Sequence, residues 1–124
     1  MGGRLRIDGL CGPPEPLRRG AEAIAGRCHR AASPAARLVG LLATADLAED
    51  EALWLEPCSA VHAFGLRAPI GCAFLDREGR VLRVVDPLPR WRAASARRAR
   101  SVVECRAGVL RAHGVAPGDR LTLG

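Results

Sequence analysis

Three side chains in this sequence could carry acid–base or nucleophilic chemistry: His62, Glu104 and Cys58. Imidazole titrates near neutral pH, so His62 could act as an acid, a base or a ligand. Cys58 stands four residues before it, as a Cys–His nucleophile would allow. Glu104 could form an acid–base pair with His62, or could equally pair with a neighbouring arginine. Since CSAVH offers no orienting carboxylate at a fixed spacing, we favour a His62 that packs beside Phe64, and we predict no catalytic residues.

The remaining polar candidates have ordinary structural interpretations. Asp76 opens an Asp-x-x-Gly turn and Asp119 lies in Pro-Gly-Asp, so both are expected to bind their own backbone. His29 and His113 lack a partner pattern that would indicate catalysis. The sequence contains no Gly-rich phosphate loop, nucleophile elbow, CxxC pair or ordered Cys/His zinc array. We therefore predict no metal site and no cofactor.

Positive charge is concentrated in RWRAASARRAR, residues 90–100. The formal net charge is +6, and all 19 basic residues are arginine, a composition that also fits codon bias in a GC-rich genome. The segment holds five arginines, no acidic residue and one aromatic, Trp91. Arginine suits phosphate and carboxylate groups, and Trp can stack on a base or a guanidinium. The alternative interpretation is a solvated arginine-rich loop.

Length and composition predict one small soluble domain. A chain of 124 residues with 48% hydrophobic residues suits a single core. No apolar run approaches the roughly 20 residues of a membrane span, and the first residues do not form a secretory signal, so we expect a cytoplasmic protein. The five cysteines are then expected to be reduced and to behave as small buried hydrophobes.

Short strands separated by turns dominate the predicted elements. The clearest is a hairpin formed by Ile70–Leu75, a turn at 76–79 and a return strand at 80–86. In the strand predicted at 51–57, Trp54 faces away from Leu53 and Leu55. The other predictions are strands at 4–7, 61–66 and 99–106, a Pro-Gly-Asp turn and a last strand within 116–123, a strand or weak helix at 21–31, a loop at 86–92, and short helices beginning at 33–34 and covering 107–114. The pattern predicts a mainly β sandwich or barrel, with a single domain at 21–124 after a poorly defined segment at 1–20.

Three segments carry a family resemblance: GLL at 40–42, CSAVHAFGLRAPIGCAFLDREGRV at 58–81, and SVVECRAGVLRAHGVAPGD at 101–119. In order and spacing they resemble a family of small prokaryotic proteins known as domain of unknown function 192, over roughly residues 28–124. The resemblance implies a compact, mainly β, jelly-roll-like fold with one or two short helices. It implies no established reaction.

The sequence departs from that family at two positions. Members usually carry Asp where this chain has Gly71, and Met where it has Leu66. If the Asp binds a ligand in relatives, this chain has lost that group. If the Asp only fixes a strand end, Gly71 marks a local bulge.

Three functions are compatible with these residues. The favoured one is a non-enzymatic β domain that binds a partner protein or an anionic ligand at a cleft near His62 and the arginine-rich segment. The alternatives are a small hydrolase-like enzyme using His62 with Glu104 or Cys58, and nucleic-acid binding through residues 90–100. Clustering of the five arginines on one exposed face would support nucleic-acid binding, and pairing of Arg97, Arg98 and Arg100 with Glu or Asp would weaken it. The predicted binding residues are His62, Phe64, Arg67, Arg90, Trp91 and Arg92.

Overall fold

The computed structural model describes residues 13–31, 47–62 and 69–124. Within them, nine strands and one helix occur in chain order. They are β1 (Glu15–Arg19), β2 (Glu22–Ala31), β3 (Glu51–Leu55), β4 (Ala60–His62), β5 (Ile70–Leu75), β6 (Val81–Leu88), β7 (Ala93–Ser95), β8 (Ser101–Arg106), α1 (Val109–Ala112) and β9 (Thr122–Leu123). No helix among these residues is long and apolar enough to cross a membrane.

Seven strands form one sheet in the order β6-β5-β8-β3-β2-β1-β9, and β4 pairs with β7 in a second, two-stranded sheet. The β2–β3 pair is parallel, and the other described pairs are antiparallel. An isolated bridge joins Arg80 to Arg120, but the described strands do not close the large sheet into a barrel. The predicted mainly β fold with a short helix is thus confirmed.

The central strands β3, β5 and β8 are buried on both faces. Every residue of β3 and β5 is buried, as is β8 up to Cys105. Successive side chains of a strand point to opposite faces, so Leu53 and Leu55 enter one core while Trp54 enters the other, as predicted. Val61 of β4 and Ala94 of β7 cover the first core. Leu110 of α1 and Leu17 of β1 help to form the second. The sheet is therefore the middle layer between two covers.

The predicted hairpin is present, and Asp76 has the predicted turn role. Its Oδ1 accepts hydrogen bonds from the backbone amides of Glu78 at 2.8 Å and Arg80 at 3.0 Å. Gly79 has a φ of 82°, a left-handed conformation that glycine adopts readily. Asp119 likewise accepts a bond from the Ala116 amide at 2.9 Å. Both turns are fixed by a side chain that binds its own local backbone.

The interpretation of residues 86–92 as a loop is wrong for its first part, because β6 continues through Leu88. The pairing of β5 with β6 moves from Cys72 opposite Val85 to Ile70 opposite Leu88, so β6 carries one extra residue opposite Gly71. Pro87 cannot donate a ladder hydrogen bond, and a bulge tolerates that loss. The bulge expected near Gly71 is therefore present, on the partner strand.

The bulge directs the carboxylate of Asp86 to the start of α1. Asp86 Oδ1 accepts from the Gly108 amide at 2.7 Å, and Oδ2 from the Arg111 amide at 2.9 Å. Arg111 in turn donates to the Asp86 carbonyl oxygen at 2.7 Å. Gly108, at the N-cap, has no side chain that could satisfy these amides. A neighbouring strand therefore supplies the cap of this helix.

Several other elements differ from the sequence predictions or cannot be compared. The strands β1 and β7 were not predicted, and residues 21–31, left open between strand and helix, form β2. The helix 107–114 is present as α1. The predicted strand at 4–7, the helix beginning at 33–34 and most of the strand at 61–66 lie outside the described residues.

Substituting Gly71→Ala should destabilise the fold by about 2 kcal/mol, the usual cost of overpacking a full site. A Cβ at Gly71 would lie 2.8 Å from Asp86 Cγ and would push the carboxylate away from the two helix amides. Gly26→Ala is the matched control, because its nearest contact would be an ordinary 3.8 Å. Urea denaturation of both variants measures the difference. Equal free energies of unfolding would contradict this account.

Candidate functional site

The small sheet brings His62 beside the arginine-rich segment. In the pairing of β4 with β7, His62 lies opposite Ala93, which directly follows Arg92 in the chain. The backbone thus places two of the predicted binding regions next to each other. The His62 side chain, Phe64 and Arg67 lie outside the part of the chain that is described in side-chain detail. Their expected part in a binding cleft remains a prediction.

Trp91 is the most exposed large hydrophobic residue of the described chain, with 63% of its surface accessible. Its φ of 67° makes it the one non-glycine residue at positive φ among the described residues. Arg90 and Arg92 on either side are also exposed. A left-handed conformation costs a residue other than glycine roughly 1–2 kcal/mol. The fold therefore holds Trp91, which Arg90 and Arg92 flank in the chain, at the surface in a strained conformation.

A shallow depression of about 330 Å³ lies along the small sheet. Trp91 and Arg92 come directly before strand β7 of this sheet. We call β4, β7 and residues 90–92 the basic platform. Arg83 Nη1 donates to the Ser95 carbonyl oxygen at 2.7 Å and so ties the platform to β6. The small side chains of the depression leave space for a ligand. Its lining residues are Ala60, Val61, Ala93, Ala94 and Ser95.

The other arginines of the segment are exposed as well. Arg97 and Arg98 lie at the surface. Arg100 is also exposed, but its Nε is 3.9 Å from Glu56 Oε2, so one acid partly compensates it. The exposure favours an anionic partner, whereas the Arg100–Glu56 pair weakens the case for nucleic acid at that position.

Cys58 is tied to the backbone around it. Its thiol donates to the Ala60 carbonyl oxygen at 3.2 Å, and its amide donates to the Arg100 carbonyl oxygen at 2.9 Å. Burial raises the pKa of Cys28 and of Cys72 to about 12, so both thiols stay protonated at neutral pH. These two cysteines fit the expectation of structural, reduced thiols.

Glu104 is fully buried in the centre of the large sheet. Its neighbours across the strands are Leu53 of β3 and Cys72 of β5. Neither carboxylate oxygen has a hydrogen-bond partner in the described part of the chain, so the suggested arginine partner is not found there. Burial alone raises the pKa of Glu104 to about 8, which keeps the carboxyl group protonated at neutral pH.

Two further polar groups lie on the same face of the sheet. Leu53 pairs with Glu104 on one side and with His29 on the other, so His29, Leu53 and Glu104 form one row across three strands. His29 Nε2 is buried and lacks a hydrogen-bond partner among the described residues. It lies 3.7 Å from Oε2 of Glu51, a buried carboxylate whose Oε1 accepts from the Ala48 amide at 3.1 Å. We call His29, Glu51 and Glu104 the polar row.

Sequence reasoning selected Glu104, gave His29 little weight and missed Glu51. Glu51 could have been recognised as unusual, because it is a carboxylate at the start of the apolar strand EALWL, whose residues are all buried. The parallel pairing of β2 with β3, which places His29 near Glu51, could not be inferred from local pattern. No group of three His, Cys, Asp or Glu residues within the described ranges is arranged to hold a metal ion.

Comparison with known families identifies the fold that carries this geometry. The family model of domain of unknown function 192, described as an uncharacterised ACR, matches residues 17–123. The chain belongs to the DUF192 family. The resemblance noted in the sequence is thereby confirmed, over a longer range than the three motifs indicated. The family description specifies no reaction and no ligand.

Two solved structures share the fold of this DUF192 domain over 98% of the chain, each with a TM-score of 0.73. One, from Sinorhizobium meliloti 1021, is described as a candidate transcription regulator; it is 20% identical and 98% of that chain is covered. The other, from Novosphingobium aromaticivorans DSM 12444, has unknown function; it is 18% identical and 99% of that chain is covered. Identities this low show the fold alone. No curated protein matches the chain.

The buried carboxyl of Glu104 should make stability fall with rising pH. Between pH 4.5, the ordinary value for Glu, and about 8, the unfolded chain releases a proton that the folded chain retains. The contribution of Glu104 to stability is therefore fully present below pH 4.5, decreases through this window by on the order of 4–5 kcal/mol, and changes no further above it.

Glu104→Gln should remove this slope and raise the free energy of unfolding at pH 8. Denaturation series at several pH values measure the effect, with Glu78→Gln as a control at an exposed carboxylate. If Glu104→Gln kept the pH dependence of the parent protein, the ionisation of Glu104 would not be its cause.

Proposed function

We propose that this DUF192 domain is a binding module that recognises an anionic group of a ligand or partner protein at the basic platform. One observation carries the proposal: Trp91 is held exposed, at positive φ, between Arg90 and Arg92. Strained backbone persists where the surrounding structure imposes it, and it concentrates at functional sites. Trp and Arg are also the residue types that dominate the energetics of binding surfaces.

The charge around the platform supports an anionic partner. No acidic residue occurs between Asp86 and Glu104, while the five arginines of this stretch are exposed. Their combined positive potential would raise the local concentration of anions. Guanidinium groups can bind carboxylate or phosphate through two parallel hydrogen bonds. The depression beside them gives room for the apolar part of such a ligand.

Nucleic acid is the second candidate, because arginines combined with one stacking aromatic also suit phosphate and bases. The Sinorhizobium meliloti protein, described as a candidate transcription regulator, raises the same possibility, although its 20% identity transfers only the fold. The pairing of Arg100 with Glu56 and the presence of a single exposed aromatic in the described ranges give this candidate less support.

An enzyme using His62 with Glu104 or Cys58 has less support. A carboxyl group with a pKa of about 8 could serve as a general acid. Glu104 is, however, completely inaccessible in this structure, and a substrate atom could not reach it without opening the core. The Cys58 thiol donates to a backbone carbonyl. We therefore propose binding rather than catalysis.

Removing the two platform charges should weaken anion binding about tenfold or more, the loss expected for two charge-assisted hydrogen bonds. The variant is R90Q/R92Q, and R30Q/R77Q is a control that removes two exposed arginines elsewhere. Pyrophosphate, an acidic peptide and a short DNA duplex serve as probes, monitored by NMR shift changes and calorimetry.

Equal losses in the two double variants would mean that only net charge matters, and the platform would be refuted. Binding confined to the DNA duplex, with affinity falling steeply as salt rises, would favour the nucleic-acid candidate instead. No binding of any probe by the parent protein would contradict both.

Trp91→Asn should separate function from stability. Asparagine adopts the left-handed conformation at lower cost than Trp, so the free energy of unfolding should stay unchanged or rise by up to about 1 kcal/mol. Binding of the anionic probe should weaken, because the stacking surface is lost. Thermal unfolding and the same titration measure the two quantities. A variant that loses stability but binds normally would show that Trp91 is a structural residue.

A further inference from the structure

A second concave surface lies away from the basic platform. It is a groove of about 520 Å³ between the first half of β2 and the chain that continues from β8. One wall is formed by residues 23–26 and the other by Ala107, Gly108 and α1. Glu49 and Asp50 stand at one end, and His113 contributes at the other. The groove and the platform share no residue, so a role for the groove does not rest on the proposed function.

The groove runs along the edge of a strand. Ala23, Ile24, Ala25 and Gly26 are consecutive, and all four line it. Side chains of a strand alternate between two faces, but the pairing of β2 with β1 shifts register between Ala23 and Ala25, and such a bulge interrupts the alternation. That the groove lies at the edge of β2 follows instead from the strand pairing.

Sheet pairing explains why this edge is open. The first half of β2 pairs with β1, but pairing of β2 with β3 begins only at Arg27, opposite Glu51. On the other side, pairing of β3 with β8 ends at Cys105. Ahead of Glu51, the described strands leave one sheet position empty between residues 23–26 and the end of β8.

The dimensions of this empty position suit one strand. Neighbouring strands lie about 4.8 Å apart, so β2 and β8, which flank β3, are separated by about 10 Å where β3 begins. A peptide in line with β3 would lie beside the edge of β2, with Ala107, Gly108 and α1 facing its other side. Alanine and glycine line much of the groove, so few side chains occupy the space. The Asp50 carbonyl oxygen already accepts from the Arg27 amide, so the edge at residues 23–25 has room for about three extended residues.

The charge at the groove favours a basic side chain in the peptide. Glu49 is exposed and has no ion pair within the described ranges. Asp50 beside it pairs with Arg27 at 3.2 Å. At the other end, the Glu22 carboxylate lies 2.8 Å from His113 Nδ1 and also pairs with Arg19. Glu49 is therefore the carboxylate that can receive a cation from outside the domain.

We propose that the groove binds an extended segment of a partner protein by strand addition to the open edge of β2, with a basic side chain of that segment placed against Glu49. Unpaired strand edges are templates for pairing with another chain, and main-chain hydrogen bonds supply most of the affinity in this mode of recognition. Specificity comes from small side chains over the alanine and glycine walls and from the charge at Glu49.

The test is selection of short random peptides on the full-length protein. Ala112 lines the groove and is exposed, so Ala112→Trp fills the space without entering the core. Ala116→Trp is the matched control, at an exposed alanine outside the groove. Peptides selected on the parent protein should share a basic residue, should bind Ala116→Trp normally, and should bind Ala112→Trp about tenfold or more weakly. Glu49→Gln should weaken them in a salt-dependent manner.

Backbone recognition is tested separately. Methylating single amide nitrogens of a selected peptide removes main-chain donors without altering its side chains. A single methylation should weaken binding about tenfold at every second amide position of the peptide, roughly the effect of one lost hydrogen bond in a partly buried site. Hydrogen exchange on the parent protein should show new protection of amides in residues 23–26, a measurement that does not depend on whether Ala112→Trp folds.

Failure to enrich any peptide would overturn the proposal. So would peptides that bind Ala112→Trp as well as they bind the parent protein. Peptides that tolerate methylation at every amide would identify a side-chain groove instead of strand addition. If Ala112→Trp lost binding but the peptide gave the parent protein no new protection at residues 23–26, the peptide would bind elsewhere. That outcome would also refute the inference.

Discussion

The whole fold depends on burying the central strands β3, β5 and β8 on both faces. Each is paired on both edges and covered above and below, so its backbone is satisfied by the ladder and its side chains have no route to water. Both surfaces of a sheet in this position must be apolar. The remaining elements are arranged to cover it, with β4 and β7 on one side and α1 and β1 on the other. Groups that must meet a ligand are consequently displaced to the covers and to strand ends.

Glu104 does not fit the requirement for apolar side chains on both faces of the central strands, so its burial is unfavourable. A carboxyl group in the middle of β8, opposite Leu53 and Cys72, is held there in its protonated form at neutral pH. An apolar side chain of similar volume would satisfy the core at lower cost, since burying an unpartnered polar group is unfavourable. Packing alone therefore does not explain why the chain carries Glu104. The nearby His29 Nε2, also buried without a hydrogen-bond partner in the described part, shows that the feature involves more than one residue.

Local pattern was enough to predict the elements whose signals are local. The hairpin of β5 and β6 was predicted from an Asp-x-x-Gly turn, and α1 from AGVLRAHG, because turn chemistry and helix ends depend on neighbouring residues. Trp54 was placed on the correct face from strand alternation alone. By contrast, β1 is a short strand among Gly, Pro and Arg, and only its pairing with β2 and β9 makes it a strand. The three-residue strand β7 likewise depends on β4.

The site was only partly predictable for the same reason. Arg90, Trp91 and Arg92 were recognisable as a charged aromatic cluster, but the positive φ of Trp91 and its place beside the small sheet are tertiary facts. The polar row is assembled from three strands, one of them in parallel pairing, and sequence distance gives no hint of it. The groove beside residues 23–26 of β2 was even less predictable from the sequence, because its position depends on where β3 begins and not on any motif.

Position 71 shows how a neighbouring strand can supply a carboxylate beside a glycine. The family resemblance leads one to expect an aspartate there, and this chain has Gly71. The carboxylate of Asp86 lies directly against that glycine, where it accepts hydrogen bonds from the amides of Gly108 and Arg111. A side chain at position 71 would compete for the same space. The bulge in β6 delivers this carboxylate from the neighbouring strand, which leaves no room for a side chain at position 71. In this chain the carboxylate beside position 71 therefore serves to fix the start of α1.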